Sequence, residues 1–592
     1  MRVHSLRRAP AILSCLALLS FTADGRAQVD GWVERSNENA QILLDIFARF
    51  APEGAGQLGV SGLDEEILDL APRITERANE AVREAVRTLQ ARLAEEEHPL
   101  VRQDLEILIQ SAEQAIEAAE FTLKYDLPYF NLAQTVFQGV RSLLDDQVEA
   151  SRRPAALVRL RKYAGLEARH TPIARLARDR IEERLGDPEL SAPFKEQIEQ
   201  DLQNAPTFLA GIGSLFQHYG VEGYEDAYNA LQTQLEEYHA FVRAEVIPRA
   251  RSDFRIPEDR YAFTLRQFGV DIPVAELISR AQVSFREIQN EMQALAPLVA
   301  KERGFAATDY RDVIRELKKE QLVGEAILPH YEQRIKDMEE IISRERVVTL
   351  PERDMRMRLA TEAESAALPA PNLRPPRLIG NTGEMGEFVL PLRIPDESGE
   401  LIGMDDFTLE AASWTLTAHE GRPGHELQFA SMVEAGLSTA RAIFAFNSVN
   451  VEGWALYAEA EMKPYLPLDG QLISLQSRLA RAARAILDPG LQLGMVTREE
   501  AFRLLEQDVV LSHAMALQEV QRYTFRLPGQ ATAYFYGYTR LMELRAEVER
   551  ILGPSFDRQR FNDFILAQGL LPPALLRKTV LEQFVPQERE RA

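Results

Sequence analysis

A single cysteine, Cys15, occurs among the 592 residues of the chain. It lies within the first 27 residues, which have the basic start, the apolar run over residues 9–21 and the small-residue cleavage site at Ala27 of a secretory signal peptide. The mature chain would then contain no cysteine, which excludes disulfides, thiolate metal sites and a cysteine nucleophile. We expect export to a bacterial periplasm or beyond, with no transmembrane segment after cleavage, because the apolar run is short for a membrane span.

Positively charged residues are outnumbered by negatively charged ones. The chain has 68 Lys and Arg against 91 Asp and Glu, a net charge of −23 that becomes −26 without the signal peptide, which carries four Arg and one Asp. A protein this acidic does not bind nucleic acid through a general basic surface. Low-complexity tracts and repeat periods are missing as well, and nothing in the sequence specifies an oligomeric state.

Most of the mature chain has apolar residues three and four positions apart, which is the pattern of amphipathic helices and predicts a mainly α fold. The longest such segments are residues 64–98, 100–123, 157–185, 223–246, 261–296 and 309–345. We divide the mature chain into an N-terminal helical region, residues 28–255, and a second helical region, residues 256–592. The two regions together, residues 28–592, are expected to form one compact unit.

Residues 386–394 interrupt the helical pattern. Phe388, Leu390, Leu392 and Ile394 place apolar side chains at alternate positions, which predicts a β-strand. Pro391 lacks an N–H and restricts such a strand to the edge of a sheet. An edge strand that pairs with an extended peptide and a small hairpin that covers the core are both compatible with this pattern.

Two of the nine histidines fall within seven residues, His419 and His425, and Glu420 follows the first. Imidazoles hold Zn²⁺, and a carboxylate beside one of them can take a proton from water. Their spacing places them about 240° apart on an ideal helix, so an unbroken helix could not aim both at one metal. Pro423 and Gly424 interrupt the helix, and we predict that this break turns His425 toward His419. The alternative is the end of a surface helix that carries two histidines.

A zinc site with two histidines needs a third protein ligand, and Glu452 is the candidate. Glu459 follows seven residues later on the same helical face, where it could orient a ligand histidine. Both could instead be surface glutamates. Residues 454–458 are unusually apolar, however, and a glutamate that is buried beside them needs a partner.

A third cluster offers polar groups that could stabilise the negative charge that develops on a carbonyl oxygen during hydrolysis. Its members are Arg522, Tyr523, Gln530, Tyr534 and Tyr536. The alternative for the tyrosines is a place in the core with a satisfied hydroxyl group.

These three segments together resemble the bacterial domain-of-unknown-function 885 family. The motifs are His-Glu-x-x-Pro-Gly-His-x-Leu-Gln, Glu-Gly-Trp-Ala-Leu-Tyr-Ala-Glu, Glu-Val-x-Arg-Tyr and Pro-Gly-Gln-Ala-x-x-Tyr. The resemblance is dense over residues 377–547 and thinner back to residue 256. The family in turn resembles helical gluzincin peptidases such as thimet oligopeptidase, angiotensin-converting enzyme and Taq-type carboxypeptidase, which are large helical shells around a deep channel with a His-His-Glu zinc site.

The resemblance implies a multi-helical shell around a central cleft, with Zn²⁺ held by His419, His425 and Glu452 and with Glu420 as the general base. Arg522 and Tyr534 lie in family motifs and are assigned to catalysis, Glu459 to support of a ligand, and Gln530, Tyr523 and Tyr536 to substrate binding. The chain departs from the family at two positions where relatives often have histidine, and these are Glu426 and Gln492.

We therefore predict an exported zinc metallohydrolase, most simply a peptidase that cleaves short peptides. One alternative is a non-catalytic binding protein on the same helical shell, against which the intact Glu420 argues. The other is a zinc amidase or esterase that acts on a small non-peptide substrate, and the sequence does not separate it from a peptidase.

Overall fold

The computed structural model describes residues 31–395 and 400–591. The protein is 69% helical with a few short strands, which confirms the predicted mainly α class. The signal-peptide prediction for residues 1–27 lies outside the described residues. Within the described ranges, no helix is long and apolar enough to cross a membrane.

The described chain before residue 256 contains nine α-helices. They are α1 (Trp32–Phe50), α2 (Pro52–Leu58), α3 (Ile74–Glu95), α4 (Pro99–Tyr125), α5 (Leu132–Arg141), α6 (Ala155–Tyr163), α7 (Ile173–Leu185), α8 (Lys195–Tyr219) and α9 (Glu225–Phe241). The pattern over residues 157–185 is divided between two of these helices. Gly165 has a positive φ of 69°, and Pro172 lacks the N–H that a continuous helix needs.

The described chain after residue 256 contains fifteen α-helices. They are α10 (Glu258–Gln267), α11 (Val274–Arg303), α12 (Tyr310–Leu317), α13 (Ile327–Glu345), α14 (Glu362–Ala367), α15 (Glu410–Glu420), α16 (His425–Ala435), α17 (Ser448–Met462), α18 (Leu468–Gln492), α19 (Arg498–Arg503), α20 (His513–Gln521), α21 (Thr532–Leu552), α22 (Arg558–Leu566), α23 (Pro573–Thr579) and α24 (Val585–Arg591). Helix α17 packs along α21, and α18 packs against α11, α15 and α21. Helices α15, α17, α18 and α21 thus form a bundle, and α15, α17 and α21 each carry part of the sequence motifs.

Seven short strands form three small sheets in the described residues. They are β1 (Ala192–Phe194), β2 (Ala250–Arg251), β3 (Arg356–Leu359), β4 (Asn372–Arg374), β5 (Glu387–Leu390), β6 (Arg393–Pro395) and β7 (Leu401–Gly403). Strands β1 and β2 are parallel, and β6 and β7 form an antiparallel hairpin. Strand β5 lies between β3, to which it is parallel, and β4, to which it is antiparallel.

The strand predicted at residues 386–394 is therefore present, but it is divided at Pro391. Its first part, β5, is a central strand and not an edge strand, because it ends at Leu390 and Pro391 takes no place in the ladder. Its second part, β6, supplies the predicted hairpin. Both edges of β5 are paired, so β5 has no free edge for an extended peptide.

Buried polar contacts join the two predicted regions. Asp104 of α4 accepts a hydrogen bond from Nε of Arg441 at 2.8 Å, and its other oxygen accepts from Ser36 and Ser438. All four side chains are buried. Separating the two regions would leave Asp104 and Arg441 without their partners, which is strongly destabilising for a buried ion pair. This contact therefore couples the N-terminal helices to the second region. The boundary at residue 255 stays a prediction.

Candidate metal centre

The turn between α15 and α16 brings the two histidines together. A Cβ atom on Gly424 would lie 2.0 Å from the carbonyl oxygen of His419, so the chain can pass there only with glycine. Nε1 of Trp454, on α17, donates a hydrogen bond to the Pro423 carbonyl at 3.0 Å and fixes the turn against that helix. The imidazole rings of His419 and His425 consequently stand 4.8 Å apart, nearly perpendicular to one another.

Glu452 faces both imidazoles. Its Oε2 lies 3.7 Å from Nε2 of His419 and 3.3 Å from Nε2 of His425. The potential ligand atoms of the three residues all lie within 4.8 Å of one another. Ligands at about 2 Å from one ion are separated by distances of this kind, so the group could hold a metal ion.

The chemistry of the donor set fits zinc. Oε2 of Glu452 is buried without a hydrogen-bond partner among the described residues, although it lies against two imidazoles. Burial would raise the pKa of Glu452, but the two neighbouring imidazoles outweigh burial and hold that pKa well below its ordinary value. A carboxylate that stays ionised between two imidazole nitrogens is a donor set that zinc uses, with a position left open.

Glu459 supports His419 from the opposite side of the ring. Its Oε1 lies 2.7 Å from Nδ1 of His419 and 3.3 Å from Arg481, and its Oε2 accepts a hydrogen bond from Thr415 at 2.7 Å. Burial opposes ionisation, but the charge of Arg481 and the contacts with His419 and Thr415 lower the pKa of Glu459 to about 2. An ionised partner at Nδ1 orients the ring and leaves Nε2 free toward Glu452.

Glu420 lies at the end of α15, next to His419, and is buried. Its Oε2 has no hydrogen-bond partner among the described residues. Burial raises the pKa of Glu420 to about 7. The charge of His425 opposes this increase, and the charge of Glu452 adds to it. A carboxyl with a pKa near neutrality can accept a proton and return it in the same reaction.

Helix α21 comes unusually close to α17, because two glycines face each other. A Cβ atom on Gly537 would lie 2.0 Å from the carbonyl oxygen of Val449, and one on Gly453 would lie 2.6 Å from the backbone of Gly537. Glu452 precedes Gly453. The close approach therefore places Glu452 next to the first turn of α21 and the loop before it.

Gln530 and Tyr534 of the third cluster lie beside Glu452 and His419, and Arg522 contacts both Gln530 and Tyr534. Nε2 of Gln530 donates to Oε1 of Glu452 at 3.3 Å. Arg522 donates to Oε1 of Gln530, and it also donates to the hydroxyl of Tyr534 at 2.9 Å. The ring of Tyr534 is parallel to that of His419, with centroids 6.1 Å apart. Burial raises the pKa of Tyr534, so its hydroxyl remains protonated at neutral pH.

The two remaining tyrosines point elsewhere. The hydroxyl of Tyr523 donates to Glu519, which also receives two hydrogen bonds from Arg484 at 2.7 Å. The hydroxyl of Tyr536 donates to Asp271. Positions 534 and 536 are two residues apart on α21, about 200° around the helix, so the structure brings Tyr534 to the metal centre and leaves Tyr536 facing away. A substrate contact by Tyr523 or Tyr536 stays a prediction.

The sequence reasoning did not identify the contributions of Arg481 and Asp488. Arg481 contacts Glu459. Asp488 accepts hydrogen bonds from the Gly529 N–H at 2.8 and 2.9 Å and from Tyr261 at 2.9 Å, which holds the loop that carries Gln530. The available signal was the recurrence of Arg481, Arg484 and Asp488 at helical spacing on α18.

The two departures from the family pattern have structural partners. Glu426 is fully buried and accepts a hydrogen bond from Nε of Arg422 at 2.7 Å. Gln492 is buried and donates to the carbonyl oxygens of Tyr523 and Thr524 at 2.8 and 3.1 Å. Both side chains bind neighbouring parts of the protein, so the changes leave the His-His-Glu group intact.

Two solved structures share the fold over nearly their whole length. A "putative lipoprotein" of Colwellia psychrerythraea has 18% identity and a TM-score of 0.69, and the alignment covers 93% of this chain and 99% of that one. A "putative lipoprotein of unknown function" of Shewanella oneidensis has 20% identity and a TM-score of 0.65, with the same coverage. The M32 carboxypeptidase of Deinococcus radiodurans R1 has 13% identity and a TM-score of 0.39 over 95% of this chain and 97% of that one, a likeness too low to support an argument.

No curated protein matches the chain significantly. The model of one family, described as "Bacterial protein of unknown function (DUF885)", matches residues 52–580 and so includes all four motifs. The chain therefore belongs to the bacterial DUF885 family.

Proposed function

We propose that the protein is an exported zinc-dependent metallohydrolase and that its substrates are short peptides. The observation that carries this proposal is the convergence of His419, His425 and Glu452 on one point, with the buried Oε2 of Glu420, unpartnered among the described residues, beside them. A buried carboxyl oxygen without a hydrogen-bond partner beside such a group is placed to exchange a proton with a bound water, which favours an enzyme over a binding protein. Export rests on the sequence of residues 1–27 and agrees with the description of the two structural relatives as lipoproteins.

The bound Zn²⁺ would be held by His419, His425 and Glu452. It would supply a Lewis acid that polarises a carbonyl group and acidifies water. Glu459 fixes the ring of His419 through Nδ1. Gln530 donates to Oε1 of Glu452 and thereby keeps Oε2 turned toward the histidines.

Glu420 would act as the general base. Its free Oε2 accepts a proton from water as the substrate carbonyl is attacked, and it gives that proton to the leaving amine when the bond breaks. Burial raises the pKa of Glu420 above its ordinary value, which favours its holding the proton between the two transfers. Burial keeps bulk water away from this carboxyl.

Tyr534 would stabilise the negative charge on the carbonyl oxygen. Its hydroxyl oxygen accepts the hydrogen bond from Arg522, which leaves the hydroxyl proton free to be donated. The Arg522 charge also makes the hydroxyl a stronger donor. This pair would supply the preorganised donor that a developing oxyanion requires.

The test compares zinc content and hydrolysis of a peptide mixture for the wild type and for Glu420→Gln. We expect the variant to retain zinc and to lose hydrolysis. Glu302→Gln, which makes the same chemical change at an exposed glutamate, should behave as wild type.

A zinc-loaded wild type that is as inactive as Glu420→Gln on peptides, other amides and esters would contradict the enzyme proposal and favour a binding protein. Hydrolysis of amides or esters without peptide cleavage would leave the metal chemistry in place and contradict the substrate class.

A further inference from the structure

A large cavity lies away from the metal centre, between the N-terminal helices and residues 524–528, and its volume is about 990 Å³. Small-molecule sites in proteins typically enclose about 300–1,000 Å³. The lining of this cavity does not include His419, Glu420, His425 or Glu452. Residues 524–528, which line one side of the cavity, directly precede Gly529 and Gln530 in the sequence.

The lining is positively charged, although the protein as a whole has a net charge of −23. Three acidic residues line the cavity against six arginines, which are Arg73, Arg180, Arg184, Arg251, Arg260 and Arg526. Two of the acidic residues are already engaged. Asp126 accepts from Arg260 at 2.8 Å, and Glu183 accepts from Arg180 at 2.9 Å. The third, Glu76, lies 4.0 Å from Arg73.

Two of the remaining arginines bind only carbonyl oxygens. Nη2 of Arg184 donates to the carbonyl of Leu123 at 2.8 Å, and Nη1 of Arg251 donates to the carbonyls of residues 253–255 at 2.9–3.3 Å. Neither has a carboxylate oxygen within 4.0 Å among the described residues. Both are half-buried. Burial and the charge of Arg260 lower the pKa of Arg251, against the more distant carboxylates of Asp126 and Asp253.

Arg526 is the third of these arginines. It donates to the amide oxygens of Gln200 at 3.1 Å and Gln518 at 3.4 Å. Among the described residues no carboxylate oxygen lies within 4.0 Å of it. Asp201 and Glu196 act on it from farther away, and burial nevertheless lowers the pKa of Arg526. A guanidinium with only neutral partners in a partly buried site is stabilised by an added anion.

We propose that this cavity binds a small polycarboxylate ligand, an acidic peptide of about three residues, through Arg184, Arg251 and Arg526. The planar fork of each guanidinium matches a carboxylate. The three arginines come from three separate elements, which are α7, β2 and the π-helical turn Arg522–Arg526. Because the three arginines belong to separate elements, a ligand with several carboxylates can pair with more than one of them. The proposal rests on the cavity and does not require the hydrolytic activity.

The test measures binding of fluorescein-labelled triglutamate to the full chain by anisotropy, in the wild type and in Glu420→Gln, where hydrolysis cannot remove the probe. Labelled triglutamine is the uncharged control. We expect triglutamate to bind at least about tenfold more tightly than triglutamine. Arg526→Gln or Arg184→Gln should weaken triglutamate binding by about tenfold, because each removes about one hydrogen bond between charged groups. Arg286→Gln, an equal charge change at an exposed residue, should bind as wild type.

The proposal would be overturned if the two peptides bound with equal affinity. It would also be overturned if Arg526→Gln and Arg184→Gln both bound triglutamate with the affinity of the wild type. An equal loss in Arg286→Gln would show that only the net charge matters, which also overturns it. Inorganic phosphate that binds through the same arginines while triglutamate does not would identify a phosphate site instead. Arg184 makes a single bond to a carbonyl, so Arg184→Gln gives a reading even if Arg526→Gln lowers the melting temperature.

Discussion

The backbone of Gly424 passes so close to His419 that a methyl group on Gly424 would lie 2.0 Å from the His419 carbonyl oxygen. This approach allows the chain to end α15 at Glu420 and to begin α16 at His425 with both imidazoles facing Glu452. The turn thus allows two histidines that are six residues apart to face the same carboxylate.

Gly424→Ala should therefore displace His425 and remove the site. We expect zinc content to fall below detection and hydrolysis to fall by about 100-fold or more, since a displacement of about 1 Å can cost that much. Zinc analysis and peptide hydrolysis check this. Gly186→Ala is the control, because nothing lies within 4 Å of the added methyl group there. Normal zinc binding by Gly424→Ala would contradict the role given to the turn.

Glu459→Gln should weaken zinc binding without removing a ligand. The amide cannot supply the negative charge that faces Nδ1 of His419, so the affinity for zinc should fall about 10- to 100-fold. Competition with a zinc-binding dye measures the affinity, and Glu302→Gln serves as the control. An unchanged affinity would mean that Glu459 only fills the core.

Tyr534→Phe and Tyr536→Phe form a matched pair on one helix. Loss of the Tyr534 hydroxyl should lower kcat by about 10²–10³, as for the removal of an oxyanion donor, with zinc content unchanged. Tyr536→Phe should retain the wild-type kcat, because its hydroxyl faces Asp271. Steady-state kinetics decide between them. A larger effect at position 536 would reverse the assignment of the two tyrosines.

The pH dependence of stability should report on Asp488. Burial raises the pKa of Asp488 to about 7, above its ordinary value of 3.8. A raised pKa in the folded protein means that the stabilising contribution is complete below about pH 4 and is lost as the pH rises through about 7. The free energy of unfolding of Asp488→Asn, relative to wild type, should therefore rise by about 2–4 kcal/mol between pH 4 and pH 8.

Urea unfolding at several pH values checks this change, with a chelator present so that metal binding does not contribute. Asp312→Asn, at an exposed aspartate, should run parallel to the wild type. If Asp488→Asn also runs parallel, the Asp488 carboxyl is ionised in the folded protein throughout this range.

The convergence of His419, His425 and Glu452 could be predicted from the sequence for local reasons. The Pro-Gly pair marks the break between His419 and His425, and the apolar residues after Glu452 mark a buried carboxylate. Both features can be recognised from residues that are close together in the sequence. The strand at residues 387–390 was predicted in the same way from its alternation.

The surroundings of the site could not be predicted from local patterns. Arg481 reaches Glu459 from α18, and only the packing of α18 against α15 brings the two together. Tyr534 and Tyr536 are alike in sequence context, and the rotation of α21, which Gly537 and Gly453 fix, decides which of the two hydroxyl groups faces Glu452 and His419. Helix rotation and the central place of β5 both follow from tertiary contacts.

The zinc content of the purified protein tests the central claim most directly. After loading with zinc and removal of the free metal, elemental analysis should find one zinc per chain in the wild type and none in Glu452→Gln or His425→Ala. A wild type that retains no zinc, or variants that retain as much as the wild type, would contradict the assignment of His419, His425 and Glu452 as a metal centre.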